Sequence, residues 1–164
     1  MSSFDKQHII EEYPPFTTWA WTNYDGIDVN LFEWTEKHKE DDYFFIGTDS
    51  KNDRKCIYTS AVVAYKKSRG GSIIIHRDKV LYTESIRKRL ILEAMRSLEC
   101  AWYFENHIAR HSNISIHLDV NPNIHYMSSK YKEEMVSLIA TQGFEVVHKP
   151  DSWAATKIAH NRCK

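Results

Sequence analysis

The stretch YFFIGTDS at residues 43–50 decides how the rest of the chain can fold. Polar residues bound it on both sides, and a short apolar run between polar residues predicts a buried strand. Asp49 then lies where the strand emerges, and an ionised carboxylate in that position needs a cation, hydrogen-bond donors or water. The alternative is a turn in which Asp49 caps its own loop. The rest of the chain has to decide between them.

The composition is that of an ordinary globular protein, with 164 residues, 42% hydrophobic and 27% charged. This length suits one domain with a substantial core. We therefore predict a single domain over residues 1–164, in which residues 1–40 form an aromatic-rich lead-in and a short helix. The net charge of +0 argues against a polybasic tail but leaves a nucleic-acid partner open, because local patches decide that affinity.

The cysteine pattern indicates a reducing compartment. Cys56, Cys100 and Cys163 lie far apart and form no C-x-x-C pair. The N-terminus lacks the pattern of a signal peptide, and no apolar segment approaches the length of a membrane span. We expect a cytoplasmic protein with no membrane partner.

After a first short helix, three strands follow one another, and helices alternate with strands in the rest of the chain. The predicted elements are a helix at 29–39 capped by Asp28, strands at 43–48, 56–65 and 73–76, a helix at 85–108, a strand at 114–120, a helix at 129–141, a strand at 144–147 and a last helix from 150. This order predicts an α/β fold with a mixed five-stranded sheet, three antiparallel strands followed by alternating helices and strands, flanked by helices. It is the ribonuclease-H-like arrangement, in which the first and fourth strands are parallel neighbours at the centre.

Adjacent first and fourth strands would bring two carboxylates together. Asp49 and Asp119 each follow one of these strands, and their mutual repulsion would raise one pKa unless a cation lies between them. Oxygen ligands without cysteine suit Mg²⁺ or Mn²⁺ better than Zn²⁺. Glu93, on the long helix beside its apolar stripe, is the third candidate ligand. The alternatives are a solvated helix acid for Glu93 and a strand-end turn acid for Asp119.

The C-terminal part of the chain offers a fourth site position and contacts to phosphate. His148, Asp151 and His160 are available for the former, and Lys149 and Lys157 are predicted to hold phosphate oxygens. The alternative is a solvated helix face with the neighbouring tryptophan in the core. The basic and aromatic residues gathered here are His148, Lys149, Trp153, Lys157, His160, Arg162 and Lys164.

Several spaced motifs resemble a known family. They are IGTDS at 46–50, RLxxExxxSLE at 89–99, HLDVN at 117–121, and GFE at 143–145 followed by KPxSWAA at 149–155. Together they resemble the YkuK-type bacterial ribonuclease-H-like family over about residues 43–160. The resemblance implies a ribonuclease-H-like fold and a metal-dependent nuclease, in which Asp49, Glu93 and Asp119 match the acidic metal ligands of the superfamily.

The last helix departs from the family pattern. Where the family has Ala-Ala-x-x-Ala-Asp, this chain reads AATKIAH at 154–160, so His160 stands at the position of the final acid. The leading hypothesis is a two-metal-ion nuclease in which Asp49 bridges the ions, Asp119 and Glu93 complete the sites, and His160 assists the second ion or the water. The alternative is a degenerate module that binds nucleic acid or a protein partner. The sequence does not indicate whether the substrate is DNA, RNA, a hybrid or a branched junction.

Overall fold

A computed structural model describes residues 15–52, 54–81, 85–120, 127–148 and 151–162. Seven strands form one sheet in this part of the chain. They are β1 (Trp21–Asn23), β2 (Asp28–Val29), β3 (Tyr43–Asn52), β4 (Lys55–Lys66), β5 (Gly70–Leu81), β6 (Asn113–Leu118) and β7 (Glu145–His148). Their order across the sheet is β2-β1-β5-β4-β3-β6-β7.

The helical segments lie on the two faces of this sheet. They are a 3₁₀ turn (Phe16–Thr18), α1 (Leu31–His38), α2 (Ile86–Glu105), a second 3₁₀ turn (Met127–Tyr131), α3 (Lys132–Ala140), a π-helix (Ala154–Ala159) and the short α4 that continues it (His160–Arg162). No helix in the described residues is both long and apolar enough to span a membrane. Cys56 and Cys100 are buried free thiols.

The centre of the sheet has the predicted arrangement. β3 pairs antiparallel with β4 and parallel with β6, and β4 pairs antiparallel with β5. The predicted α/β fold, with an antiparallel meander and parallel first and fourth strands, is therefore confirmed.

The predicted number of five strands is wrong, because β1 and β2 extend the sheet beyond β5. Thr22 pairs with Ile75, and Trp21 pairs with Val29 in the outer strand. The side chain of Trp21 is buried in the core. Strands of two and three residues are too short for an alternating pattern to identify them.

The predicted cap of the first helix is also wrong. Asp28 lies in β2, and Asn30 caps α1 by accepting a hydrogen bond from the Glu33 amide at 3.0 Å. Asn and Asp are similarly good caps, so the sequence offered two candidates and the competing strand pairing decided between them.

The third predicted strand, 73–76, is longer than expected and reaches Leu81. The prediction ended this strand at His76, before the charged residues 77–79. Asp78 instead turns inward and accepts two hydrogen bonds from Arg96 on α2, at 3.0 and 2.6 Å. Arg96 is completely buried and its guanidinium lies 3.8 Å from the centre of the Tyr58 ring.

The two sheet faces are covered by different helices. α2 packs on the larger core, which includes Phe44, Ile46, Val62, Leu98, Phe104 and Ile116. The π-helix packs on the opposite face, where Ala159 contacts Ala61 and Ile75. We call these the α2 face and the π-helix face. Because strand side chains alternate between faces, Asp49 and His117 belong to the π-helix face and Ser50 to the α2 face.

Candidate active site

The parallel pairing of β3 with β6 brings two carboxylates level. Gly47 pairs with His117, so Asp49 and Asp119, each two residues further on, occupy matching positions on neighbouring chains. Asp49 is only 6% exposed, and Asp119 is half-buried just beyond the end of β6. The two acids therefore lie side by side at the middle of the sheet. Asp49 is inside β3, which continues to Asn52, so the predicted strand end at residue 48 and the alternative of a turn at Asp49 are both wrong.

Each of two carboxyl groups at this site has a raised pKa. Burial, followed by the negative charge of Asp119, raises the pKa of Asp49 to about 6, while a hydrogen bond with His160 opposes the shift. Burial, followed by the charge of Asp49, raises the pKa of Glu93 well above its usual range. Like charges are thus held together in a region with little water, which is an arrangement that a cation stabilises.

Glu93 approaches from the α2 face. It is 7% exposed, and its Oε1 accepts a hydrogen bond from Ser50 Oγ at 2.5 Å. Arg89, one turn earlier on α2, donates to both the hydroxyl and the carbonyl oxygen of Ser50. The alternative of a solvated helix acid is therefore wrong for Glu93. Its carboxylate is buried and held in place by a neighbour of Asp49.

His160 reaches Asp49 from the π-helix face. Its Nδ1 lies 2.7 Å from Asp49 Oδ2, and the imidazole carries the proton between them when Asp49 is ionised. The His160 side chain is 58% exposed and that of Asp49 is 9% exposed. His160 therefore stands between the buried carboxylate and solvent, with its Nε2 free of this hydrogen bond.

His117 fixes the start of the final helix. Its Nδ1 accepts a hydrogen bond from the Ala154 backbone amide at 3.1 Å, and burial lowers the pKa of His117 to about 4. Trp153 lies edge-on to both His117 and Phe45, with ring centroids 5.1 and 4.9 Å apart. The sequence motif contains His117 but did not predict this role. A signal was present, because alternation along β6 places His117 on the same face as Asp119.

The remaining predicted residues lie in different surroundings. Lys157 is exposed on the π-helix, and Lys149 lies outside the described residues. His148 ends β7 half-buried, and Asp151 is exposed before the π-helix. The structure thus brings together Asp49, Asp119, Glu93 and His160, and their roles stay a prediction.

The donor chemistry of this cluster fits a divalent ion. Three carboxylates offer the hard oxygen ligands that Mg²⁺ and Mn²⁺ prefer, and a cation would relieve the charge repulsion that adds to burial in raising the pKa values of Asp49 and Glu93. Within the described residues, however, no three His, Cys, Asp or Glu side chains form a group ready to hold a metal ion. Asp49 is hydrogen-bonded to His160, and Glu93 is hydrogen-bonded to Ser50. Binding of an ion would therefore require these carboxylates to replace the hydrogen bonds with contacts to the ion.

A central mixed sheet with acids at its neighbouring parallel strands β3 and β6 and helices on both faces defines the class of ribonuclease H-like folds. The family model described as Ribonuclease H-like matches residues 29–164, and the chain belongs to that family. Comparisons with curated proteins and with solved structures gave no match.

Proposed function

We propose that this protein hydrolyses phosphodiester bonds in nucleic acid with the help of Mg²⁺ or Mn²⁺ ions. The observation that supports this most is the position of Asp49 beside Asp119 at the centre of a ribonuclease H-like sheet, with Glu93 near enough for the charge of Asp49 to add to burial in raising its pKa. Asp49, Asp119 and Glu93 would hold the ions, with Asp49 between them. We propose a cytoplasmic location, because the scattered cysteines favour a reducing compartment.

Bound ions would activate a water molecule and stabilise the leaving oxygen. The side chains contribute position and proton transfer. Burial keeps bulk water away from Asp49, while the exposed imidazole of His160 can exchange protons with solvent at Nε2. Lys157, exposed three residues before His160, and Lys149 would hold phosphate oxygens of the strand.

A second function has one observation in its favour. His160 occupies the position where the family pattern resembled here has an acid, and it already satisfies Asp49 by hydrogen bonding. An imidazole that replaces a cation at the carboxylate would suit a catalytically degenerate module that binds nucleic acid or a protein partner.

The two functions differ in what they require of divalent ions. The experiment is a Mn²⁺ titration by calorimetry, followed by cleavage assays on single-stranded, duplex, hybrid and branched substrates. We expect Mn²⁺ binding and cleavage, both lost in Asp49→Asn and kept in Asp28→Asn, an exposed control in β2. Full Mn²⁺-dependent cleavage by Asp49→Asn would refute the assigned site. No binding in the millimolar range, together with no cleavage, would favour the binding module.

A further inference from the structure

A second concave site adjoins the carboxylate cluster on the π-helix face. It is a pocket of about 300 Å³ whose walls are the turn between β1 and β2, strand β5 and the final helix. Tyr24, Arg77, Asn161 and Arg162 line it. We call it the arginine pocket. The two outer strands, which the sequence analysis did not predict, supply one of its walls.

The register of the sheet connects this pocket to the candidate active site. Asp49 pairs with Thr59, and Thr59 pairs with Arg77, so the three side chains form one row on the π-helix face. Neighbouring strands lie about 4.8 Å apart, which puts the backbones at Asp49 and Arg77 about 10 Å apart. From the other side, Asn161 and Arg162 directly follow His160. The pocket is therefore next to Asp49 and separate from it.

The chemistry of the pocket suits an anion beside an aromatic platform. Arg77 is exposed, and the guanidinium of Arg162 lies 4.0 Å from the centre of the Tyr24 ring. Among the described residues, the buried Nε–H of Arg162 has no hydrogen-bond acceptor. Asp25 also lines the pocket, so its two arginines face one carboxylate. A buried donor without an acceptor is uncommon, and an anionic ligand would satisfy it.

We propose that the arginine pocket binds a flanking nucleotide of the same nucleic-acid strand that presents a phosphodiester to Asp49. Arg77 and Arg162 hold its phosphate, and Tyr24 with the guanidinium stacked on it supports its base. At a rise of about 3.4 Å per nucleotide along one strand, 10 Å corresponds to about three nucleotides, so this is a flanking nucleotide and not the cleaved one. The choice of nucleic acid as the ligand rests on the proposed function. The inference requires neither catalysis nor metal ions.

The test measures binding without divalent ions, so that cleavage plays no part. Fluorescence anisotropy in EDTA follows a labelled ten-nucleotide oligothymidylate over a range of salt concentrations. The variants are Arg77→Gln, Arg162→Gln and Tyr24→Ala, with Tyr24→Phe as the conservative rescue. Arg110→Gln, an exposed arginine between α2 and β6, is the matched control. Thermal unfolding checks that each variant folds.

We expect Arg77→Gln and Arg162→Gln to weaken binding about tenfold and to lower the salt slope by about 0.7, the value for one lost phosphate contact with a single strand. Tyr24→Ala should also weaken binding, and Tyr24→Phe and Arg110→Gln should bind like the wild type. Oligonucleotide binding that is unchanged in both arginine variants would overturn the pocket and leave the proposed nuclease standing. An absence of wild-type binding at low salt would also overturn it.

A second arm separates a nucleotide in a strand from a free phosphate. Inorganic phosphate and thymidine monophosphate are titrated into the wild type and the arginine variants by calorimetry. If the arginine variants lose only phosphate or mononucleotide binding and keep the oligonucleotide, the site is one for small anions and the proposal is wrong. If they lose the oligonucleotide while the wild type shows no Mn²⁺-dependent cleavage, the pocket is supported and the nuclease is not.

Discussion

His160 Nδ1 lies 2.7 Å from Asp49 Oδ2, so the final helix is joined directly to the central strand of the sheet. The contact links residues 111 positions apart and closes the solvent side of a buried carboxylate. The same imidazole can therefore stabilise the Asp49 carboxylate in place of a cation, and it would compete with a cation for that carboxylate.

Replacing this histidine with an acid should increase the dependence of the fold on metal. In EDTA, His160→Asp should unfold at a lower temperature than the wild type, because a further carboxylate then faces Asp49. Excess Mn²⁺ should raise its melting temperature more than that of the wild type, since a ligand at 100 times its dissociation constant stabilises by about 2.7 kcal/mol. Thermal unfolding with and without Mn²⁺ measures both effects. The exposed His111→Asp is the control, and an equal Mn²⁺ response in both variants would contradict the site.

The raised pKa of Asp49 makes a prediction about stability and pH. Burial and the charge of Asp119 raise it from 3.8 to about 6, so the protonated form is favoured by folding. This contribution is fully present below pH 3.8 and is lost as the pH rises through about 6. In EDTA at pH 8, Asp49→Asn should therefore be more stable than the wild type by about 1 to 3 kcal/mol, and at pH 4 nearly equal to it. Urea unfolding at the two pH values tests this, and a difference that does not change with pH would refute it.

Ser50 should set the pH range in which Glu93 is ionised. Its hydroxyl hydrogen bond favours the charged carboxylate against burial and the charge of Asp49, which raise the pKa of Glu93. Ser50→Ala removes this donor, so the pKa should rise further and Mn²⁺ binding should begin at a higher pH. Calorimetric Mn²⁺ affinities between pH 6 and 8 provide the measurement. Ser50→Thr should restore the wild-type profile, and Ser68→Ala, in the exposed turn after β4, should not alter it.

Protonation of His117 should release the final helix. Burial lowers its pKa to about 4 from the usual 6.5, so its stabilising contribution is present above pH 6.5 and is lost as the pH falls towards 4. His117→Asn has no titratable ring and should lose about 1 to 3 kcal/mol less than the wild type between pH 7.5 and 4.5. Denaturant unfolding at these pH values measures the difference. The exposed His111→Asn should lose as much as the wild type.

The buried ion pair between Arg96 and Asp78 should be important for stability. Arg96→Met leaves the Asp78 carboxylate inside without its arginine partner, with His76 Nε2 left at 3.4 Å from it, which should reduce the free energy of unfolding by about 3 to 5 kcal/mol. Combining it with Asp78→Leu should recover a large part of that loss. Arg87→Met breaks an exposed pair with Glu134 and should change stability far less than Arg96→Met does, because solvent screens exposed charges. Equal losses in Arg87→Met and Arg96→Met would contradict this account.

The features that the sequence predicted are those repeated over enough residues to form a pattern. The apolar run before Asp49 and the alternation before Asp119 identified the two parallel strands, and the helical period placed Glu93 beside the core. The sequence also identified His160 as a departure from the family pattern, but it did not predict the contact between His160 and Asp49. That contact depends on how the final helix docks on His117.

The missed features depend on long-range pairing. β1 and β2 exist because β5 offers a free edge, which no local pattern in residues 21–29 can indicate. The predicted strand ended at His76, and the charged half of β5 could not be recognised from the sequence because it depends on the pairing of Asp78 with Arg96 on the α2 face. The arginine pocket depends on both of these features, the outer strands and the full length of β5, since it needs Arg77 in a strand and Tyr24 in the adjoining turn.

The small outer strands also protect the protein from self-association. β5 has twelve residues, of which Ile74 and Ile75 pair with β1, and in the part of the chain that the structure describes the two-residue strand β2 is the edge on this side of the sheet. Long uncovered edges recruit strands from other molecules, whereas very short edges and charged side chains such as Arg77 and Lys79 discourage it. A chain without the β1–β2 hairpin would expose Ile74 and Ile75 at an open edge. The short hairpin therefore prevents aggregation by strand addition.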